Sequence, residues 1–211
     1  MIATVLTDKR PVIKVSINGQ ETAALVDTGA SLSIVSESDM GAFKFKRGSK
    51  MAGSVIGLDG TEQSMYHTGK DFNFEVEGIP VKTFGSTDEG LSYLLEVDGK
   101  KIFHAGDLNW WHWEGETDQE KEAAQKMFFK EIDILKGSEI DIAFFPVDPR
   151  LEDAYYYGGK YFIEEVCPKV FIPMHFQDCY YITRKFRAVM ENVQNSTRVI
   201  EIEKRGQELD V

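Results

Sequence analysis

An α+β architecture is what this sequence predicts, and three observations carry it. In the amino-terminal part, β-branched runs broken by a two-residue Asn-Gly turn make antiparallel hairpins. From Leu91 onward strand-like and helix-like runs alternate, the pattern of a mixed sheet flanked by helices with chemistry at the strand ends. Two of those runs stop just short of residue types that hold metals or protons, Asp107 and His175.

Taken in order, Val12, Ile13, Val15 and Ile17 lead into Asn18-Gly19, and Ala23-Ala-Leu-Val26 returns, a first hairpin over 11–27. Residues 36–50 mix charges without a period and read as loop or irregular helix. Phe72, Phe74 and Val76 alternate with polar residues, Gly78 turns and Ile79–Phe84 runs back as a second hairpin. A third pairs Leu91–Val97 with Lys101–His104 across Asp98-Gly99. Thr117-Asp-Gln-Glu120 is a capping box, with Ala124, Phe128, Ile132 and Leu135 at helical spacing and Gly137 as the stop, so a helix is expected over about 118–136. Ile140–Pro146 reads as a buried strand, Tyr161–Val166 as a short helix, and Lys169–Met174 as another strand. Ile182, Phe186, Val189 and Val193 mark a last helix, and Arg198–Ile202 a last strand.

The 211 residues, 42% hydrophobic and 12% aromatic, suit one large domain or two small ones with a real core. The net charge of -11 is uneven: residues 1–82 carry 9 Lys/Arg against 10 Asp/Glu, residues 83–211 carry 15 against 25. Such an acidic second part argues against binding a phosphate backbone or an anionic membrane surface, so neither nucleic acid nor membrane is an expected partner. No apolar run reaches the roughly 18 residues of a membrane span, Met1–Arg10 has no secretory apolar stretch, and Cys167 and Cys179 make no disulfide framework. A cytoplasmic protein is expected.

The stretch Lys101–Trp113 organises the rest. An apolar run stops on His104-Ala-Gly-Asp107, and three tryptophans follow within four residues. A strand, a glycine that lets the backbone turn tightly and an aspartate beyond it aim a carboxylate from a rigid edge. Asp in such a place is as often a turn cap; here His175, just past a second β-run, gives it a counterpart. His104 reads as a strand-end residue or an outer partner of the carboxylate, His67 as surface, and His112 as pocket wall or packing. Asp148 and Arg150 read as a structural pair at the cleft edge.

Two resemblances add to this. Lys9–Val35, with Leu25-Val-Asp-Thr-Gly-Ala-Ser31, resembles the opening of retroviral-type aspartic proteases (retropepsins), and Met51–Gly60 is loosely similar to their Gly-rich flap. The resemblance implies that Asp27 is catalytic. It would pair with its twin in a homodimer, one carboxyl holding a proton while the other activates water.

From about Val81 to Leu209 the chain resembles the carboxyl-terminal half of a bacterial metallo-β-lactamase-fold hydrolase family. The likeness is carried by Phe84-Gly-Ser-Thr-Asp-Glu-Gly90, Ile102–Trp113, Asp141-Ile-Ala-Phe-Phe-Pro-Val-Asp-Pro-Arg150, Tyr157-Gly-Gly159, Pro173-Met-His-Phe176 and Arg205-Gly-Gln207. It implies half of an αββα sandwich, a cofactor that is zinc or another divalent metal, Asp107 as bridging ligand and His175 as terminal ligand. The family's His-x-His-x-Asp-His motif is absent, and the four histidines are His67, His104, His112 and His175. A third ligand would have to come from His104, Asp88 or Asp27, so the expected site is weak or inactive.

The expected organisation is a β-rich segment over 1–66, retropepsin-like or a truncated first half of the sandwich, followed by an α/β half over 67–211. Three functions compete: a metal-dependent hydrolase of a small ester, amide or phosphoester; a homodimeric aspartic protease using Asp27; and a chimeric or decayed scaffold without catalysis.

Overall fold

The computed structural model describes residues 4–5, 11–17, 19–25, 51–56, 62–66, 74–76, 78–88 and 90–210. Asp27, His67 and the expected irregular stretch 36–50 lie outside the described residues. The chain divides into two units, Met1–Pro80 and Val81–Val211.

The first unit holds β1 (Thr4–Val5), β2 (Pro11–Ile17), β3 (Gln20–Leu25), β4 (Met51–Ile56), β5 (Glu62–Tyr66) and β6 (Phe74–Val76). Strands β2 and β3 form the expected hairpin, in register from Val12↔Leu25 to Ile17↔Gln20, and Gly19 takes the positive φ of +82° that the turn demands. Strands β1 and β6 also run antiparallel to β2, while β4 and β5 form a separate two-stranded ladder.

The second unit is built on a mixed sheet in the order β7 (Ile79–Phe84), β8 (Ser92–Val97), β9 (Lys100–His104), β10 (Ile142–Pro146), β11 (Val170–Met174), β12 (Arg198–Val199). The first three strands pair antiparallel, and β9 through β12 run parallel. Asp98 and Gly99 both take positive φ, which closes the β8–β9 hairpin in two residues. Each parallel crossover carries a helix: α1 (Asp118–Leu135), α2 (Tyr157–Val166) and α3 (Tyr181–Met190). The first begins on the expected capping box, with Thr117 accepting from the Glu120 backbone N–H and the Glu120 carboxylate accepting from Thr117 N at 2.8 Å.

One sheet face supplies Phe103, Phe145 and Phe171 from β9, β10 and β11, all fully buried. Phe162 of α2 stacks on Phe103 and Phe145 at 5.5 and 4.5 Å between centroids, Phe128 of α1 meets Phe145 at 6.3 Å, and Phe186 of α3 stacks on Phe171 at 5.0 Å. The alternation of the strands thus sends every second residue into one aromatic core beneath the helices.

The last strand keeps only Arg198–Val199 of the expected Arg198–Ile202, and the last helix stops at Met190. Two further differences lie nearer the strand ends. Helix α2 starts at Tyr157 rather than Tyr161, taking in Gly158 and Gly159 although glycine is a poor helix former. They are there for closeness: a Cβ on Gly158 would meet Asn109 Oδ1 at 2.0 Å, and one on Gly159 would meet the Phe186 ring at 2.8 Å. A 3-10 helix, Pro149–Ala154, also fills the connection after β10. Among the described residues no helix is long and apolar enough to cross a membrane.

Candidate functional site

Strands β9, β10 and β11 lie side by side and end at one edge, with His104 opposite Phe144 and Pro146 opposite Met174. The backbone bonds Ala105 N to Phe144 O and Val147 N to Met174 O, both 2.9 Å, carry the alignment past the strand ends. Asp107, Asp148 and His175 follow those ends, and the sheet brings them together at the carboxyl edge of parallel strands, where such folds place their chemistry.

Each side chain is set by local backbone geometry. Gly106 sits at φ +56°, and a Cβ there would meet Leu91 O at 2.5 Å, so only glycine makes the turn that presents Asp107. The Asp107 carbonyl accepts from Trp111 Nε1 at 3.0 Å, and Thr87 Oγ1 bonds both the carbonyl and N–H of Asn109, tying Thr87 to this stretch. His175 occupies the left-handed region at φ +68°, a conformation that costs a non-glycine residue roughly 1–3 kcal/mol and persists only where the surroundings impose it.

The imposing contact is Asp148. Its carboxylate, 1% exposed, lies 2.8 Å from His175 Nδ1 and accepts from Arg150 Nε at 3.0 and 2.9 Å, from Arg150 Nη2, and from the Arg150 backbone N–H at 2.9 Å. With Nδ1 committed to Asp148, His175 turns Nε2 toward Asp107 Oδ1, 3.5 Å away. Trp111 meets the imidazole edge-on at 5.5 Å and stacks on Trp113 at 5.7 Å, forming one wall.

Burial alone would push the Asp148 carboxyl up, but the bonds from His175 and Arg150 outweigh it and hold it well below the usual carboxylate range. The same hydrogen bond raises His175 against the opposing effect of burial, with the nearby Asp148 and Asp107 charges adding to it. His104 goes the other way, lowered by burial against the attraction of Asp107. A depressed carboxylate contributes stability that is full above about pH 4 and drains as pH falls; a raised histidine contributes stability that is full below about pH 6.5 and is lost as pH rises through its folded value. In metal-stripped protein the thermal midpoint should therefore decline on the alkaline side, across the His175 titration. His175→Gln should abolish that limb, and superimposable profiles for the two proteins would contradict the ion pair.

Of the residues singled out in the sequence, Asp107 and His175 meet. His104 does not join them as a third donor: its Nδ1 accepts from Gly106 N at 3.1 Å and its ring stacks on Phe144 at 5.9 Å. Asp88 is exposed, and among the described residues its one hydrogen bond is local, from its backbone N–H to Ser86 Oγ. Asp148 is more than a structural partner of Arg150, since it orients His175. That role depends on β10 and β11 lying side by side in register, which no local run of the sequence announces.

The donor pair fits a divalent ion in part. Two ligands at tetrahedral positions about 2.0–2.1 Å from zinc lie about 3.4 Å apart, close to the 3.5 Å here, and a histidine whose second nitrogen is held by a carboxylate is the usual form of a metal-binding imidazole. Among the described residues no group of three or more His, Cys, Asp or Glu side chains is placed to hold one ion.

No curated protein matches this chain. Among solved structures that match is one titled as a "putative Zn-dependent hydrolase of the metallo-β-lactamase superfamily" from Thermotoga maritima, 18% identical with a TM-score of 0.37 over 60% of this chain. The match spans 65% of that chain, less than two thirds of its length. Residues 13–86 match the family described as "gag-polyprotein putative aspartyl protease", so the amino-terminal part of this chain has a retropepsin-like start.

Proposed function

We propose that the second unit carries a weak metal-dependent hydrolase site of metallo-β-lactamase type, with Asp107 and His175 as donors to one divalent ion. The observation that supports it is the chain Asp148–His175–Asp107, in which a buried carboxylate fixes one imidazole nitrogen and leaves the other 3.5 Å from a second carboxylate. When bound, the ion would supply a Lewis acid that polarises a carbonyl or phosphoryl oxygen. The protein's own part is to hold the His175 tautomer through Asp148 and to keep water from one side with the Trp111–Trp113 wall. The reading is tested by hydrolysis of chromogenic carboxylic and phosphoric esters with added zinc or manganese. Turnover should vanish with EDTA and in Asp107→Asn; turnover that survives both would sink it.

A second reading is favoured by the family match over residues 13–86, which includes Asp27. In it the chain is a homodimeric aspartic protease. Its signature would be peptide cleavage at acid pH, lost in Asp27→Asn and indifferent to EDTA.

A further inference from the structure

Arg150 is fixed more firmly than a clamp on Asp148 requires. One edge of its guanidinium, Nε and Nη2, is spent on the buried carboxylate. One face lies over the Trp113 ring, 5.5 Å from guanidinium carbon to ring centroid, and Trp113 is stacked nearly parallel on the buried Trp111. Edge and face together leave the group little freedom. Even so, the side chain is 51% exposed, and both N–H groups of Nη1 and the second N–H of Nη2 meet no acceptor among the described residues. The fork that remains is open to solvent beside His175, which shares Asp148 with it, and close enough to Asp107 and Asp88 to feel both charges.

We propose that Arg150 is an anion-recognition residue, its free edge taking a carboxylate or phosphate group of the substrate while the bond to be cleaved lies at Asp107 and His175. The proposal rests on the reading of Asp107 and His175 as the reactive centre and names the substrate class: a small ester or amide that carries a second, anionic oxygen group. Two features favour this over a purely structural arginine. Holding Asp148 uses only the inner edge, and neither the aromatic support nor the solvent-facing outer edge adds to that contact. The neighbouring carboxylates also repel an anion from the rest of this rim, so an anionic group is admitted only where a cation is held in place, and a planar guanidinium can serve Asp148 and a second oxyanion at once.

The test uses metal-stripped full-length protein, so that it is independent of metal binding and turnover. Benzoate, phenyl phosphate and neutral benzamide are titrated in turn, with binding followed by the arginine Nε–H and tryptophan indole signals in nitrogen–proton NMR. At least one of the two anions should bind saturably and shift the Arg150 and Trp113 resonances, benzamide should not, and the ratio of the two anion affinities identifies the group preferred. Arg150→Gln should weaken anion binding about tenfold or more. Because glutamine also strips the partner from Asp148, Arg150→Lys provides the second variant: it keeps a cation on Asp148 but has no second edge, and should likewise bind poorly. The proposal falls if neither anion binds the wild type, if benzamide binds as well as benzoate, or if either variant keeps full anion affinity. Failure to bind zinc or manganese with anion binding intact would instead remove the metal reading alone.

Discussion

His175→Ala should reduce zinc affinity by about 100-fold or more. Loss of an outer partner that merely orients a ligand costs roughly 10–100-fold, and His175 is one of two donors rather than an orienter. Asp148→Asn makes the comparison sharp, because it keeps the side-chain volume while removing the charge on His175 Nδ1. That variant should fall within the outer-partner range. Isothermal titration of the three proteins with zinc checks the order. The wild type itself should bind loosely, because two protein ligands lack the third that catalytic zinc normally takes. Tight binding of two ions would show that residues outside the described ones complete the site. Equal weak binding by wild type and His175→Ala would take His175 out of it.

The second large effect is on folding. Phe145→Ala should destabilise the protein by about 3–5 kcal/mol, the usual range for removing a buried ring and leaving a cavity. Phe145 is fully buried and faces rings from three other elements, Phe162 at 4.5 Å, Phe171 at 5.9 Å and Phe128 at 6.3 Å, so no single neighbour can swing in to fill its place. Denaturant unfolding followed by tryptophan fluorescence reports on this unit, since Trp110, Trp111 and Trp113 all belong to it. Met127→Ala, at a residue 54% exposed on α1, is the control and should stay within about 0.5 kcal/mol. A Phe145→Ala loss below about 1.5 kcal/mol would mean that the aromatic core is not packed as described.

What was legible in the sequence was local. Asp98-Gly99 specified the β8–β9 turn because two consecutive positive φ angles are cheap only for such residues. Thr117 and Glu120 fixed the start of α1 because both halves of a capping box lie within one turn. The placement of Asp107 and His175 beyond strand ends was legible for the same reason. The role of Asp148 was not, because it depends on which strands are neighbours and in what register. Nothing local says that Pro146 stands opposite Met174, and that alignment is what carries Asp148 onto His175. The early start of α2 was not legible either, since the place of Gly158 and Gly159 in it is set by what crosses them, Asn109 and Phe186. Asp27, the main claim on the amino-terminal part, lies outside the described residues.

The parallel order of β9, β10 and β11 also sets when the site can exist during folding. Val97 and Lys100 pair across a two-residue turn, so the hairpin that leads to Asp107 closes at little entropic cost. Phe103 must then find Ala143, 40 positions away, and Ala143 must find Phe171, 28 further on. Those crossovers pay for their loops before any contact rewards them, which makes them the slow steps of a mixed sheet. Asp148 opens the second crossover and His175 follows its end, so the contact that orients the imidazole waits for the alignment of β10 and β11, well after the turn bearing Asp107 can form. The same order, run backwards, makes partial opening of this unit costly to the site first: separating β11 from β10 uncouples His175 from Asp148 while the β8–β9 hairpin is still paired.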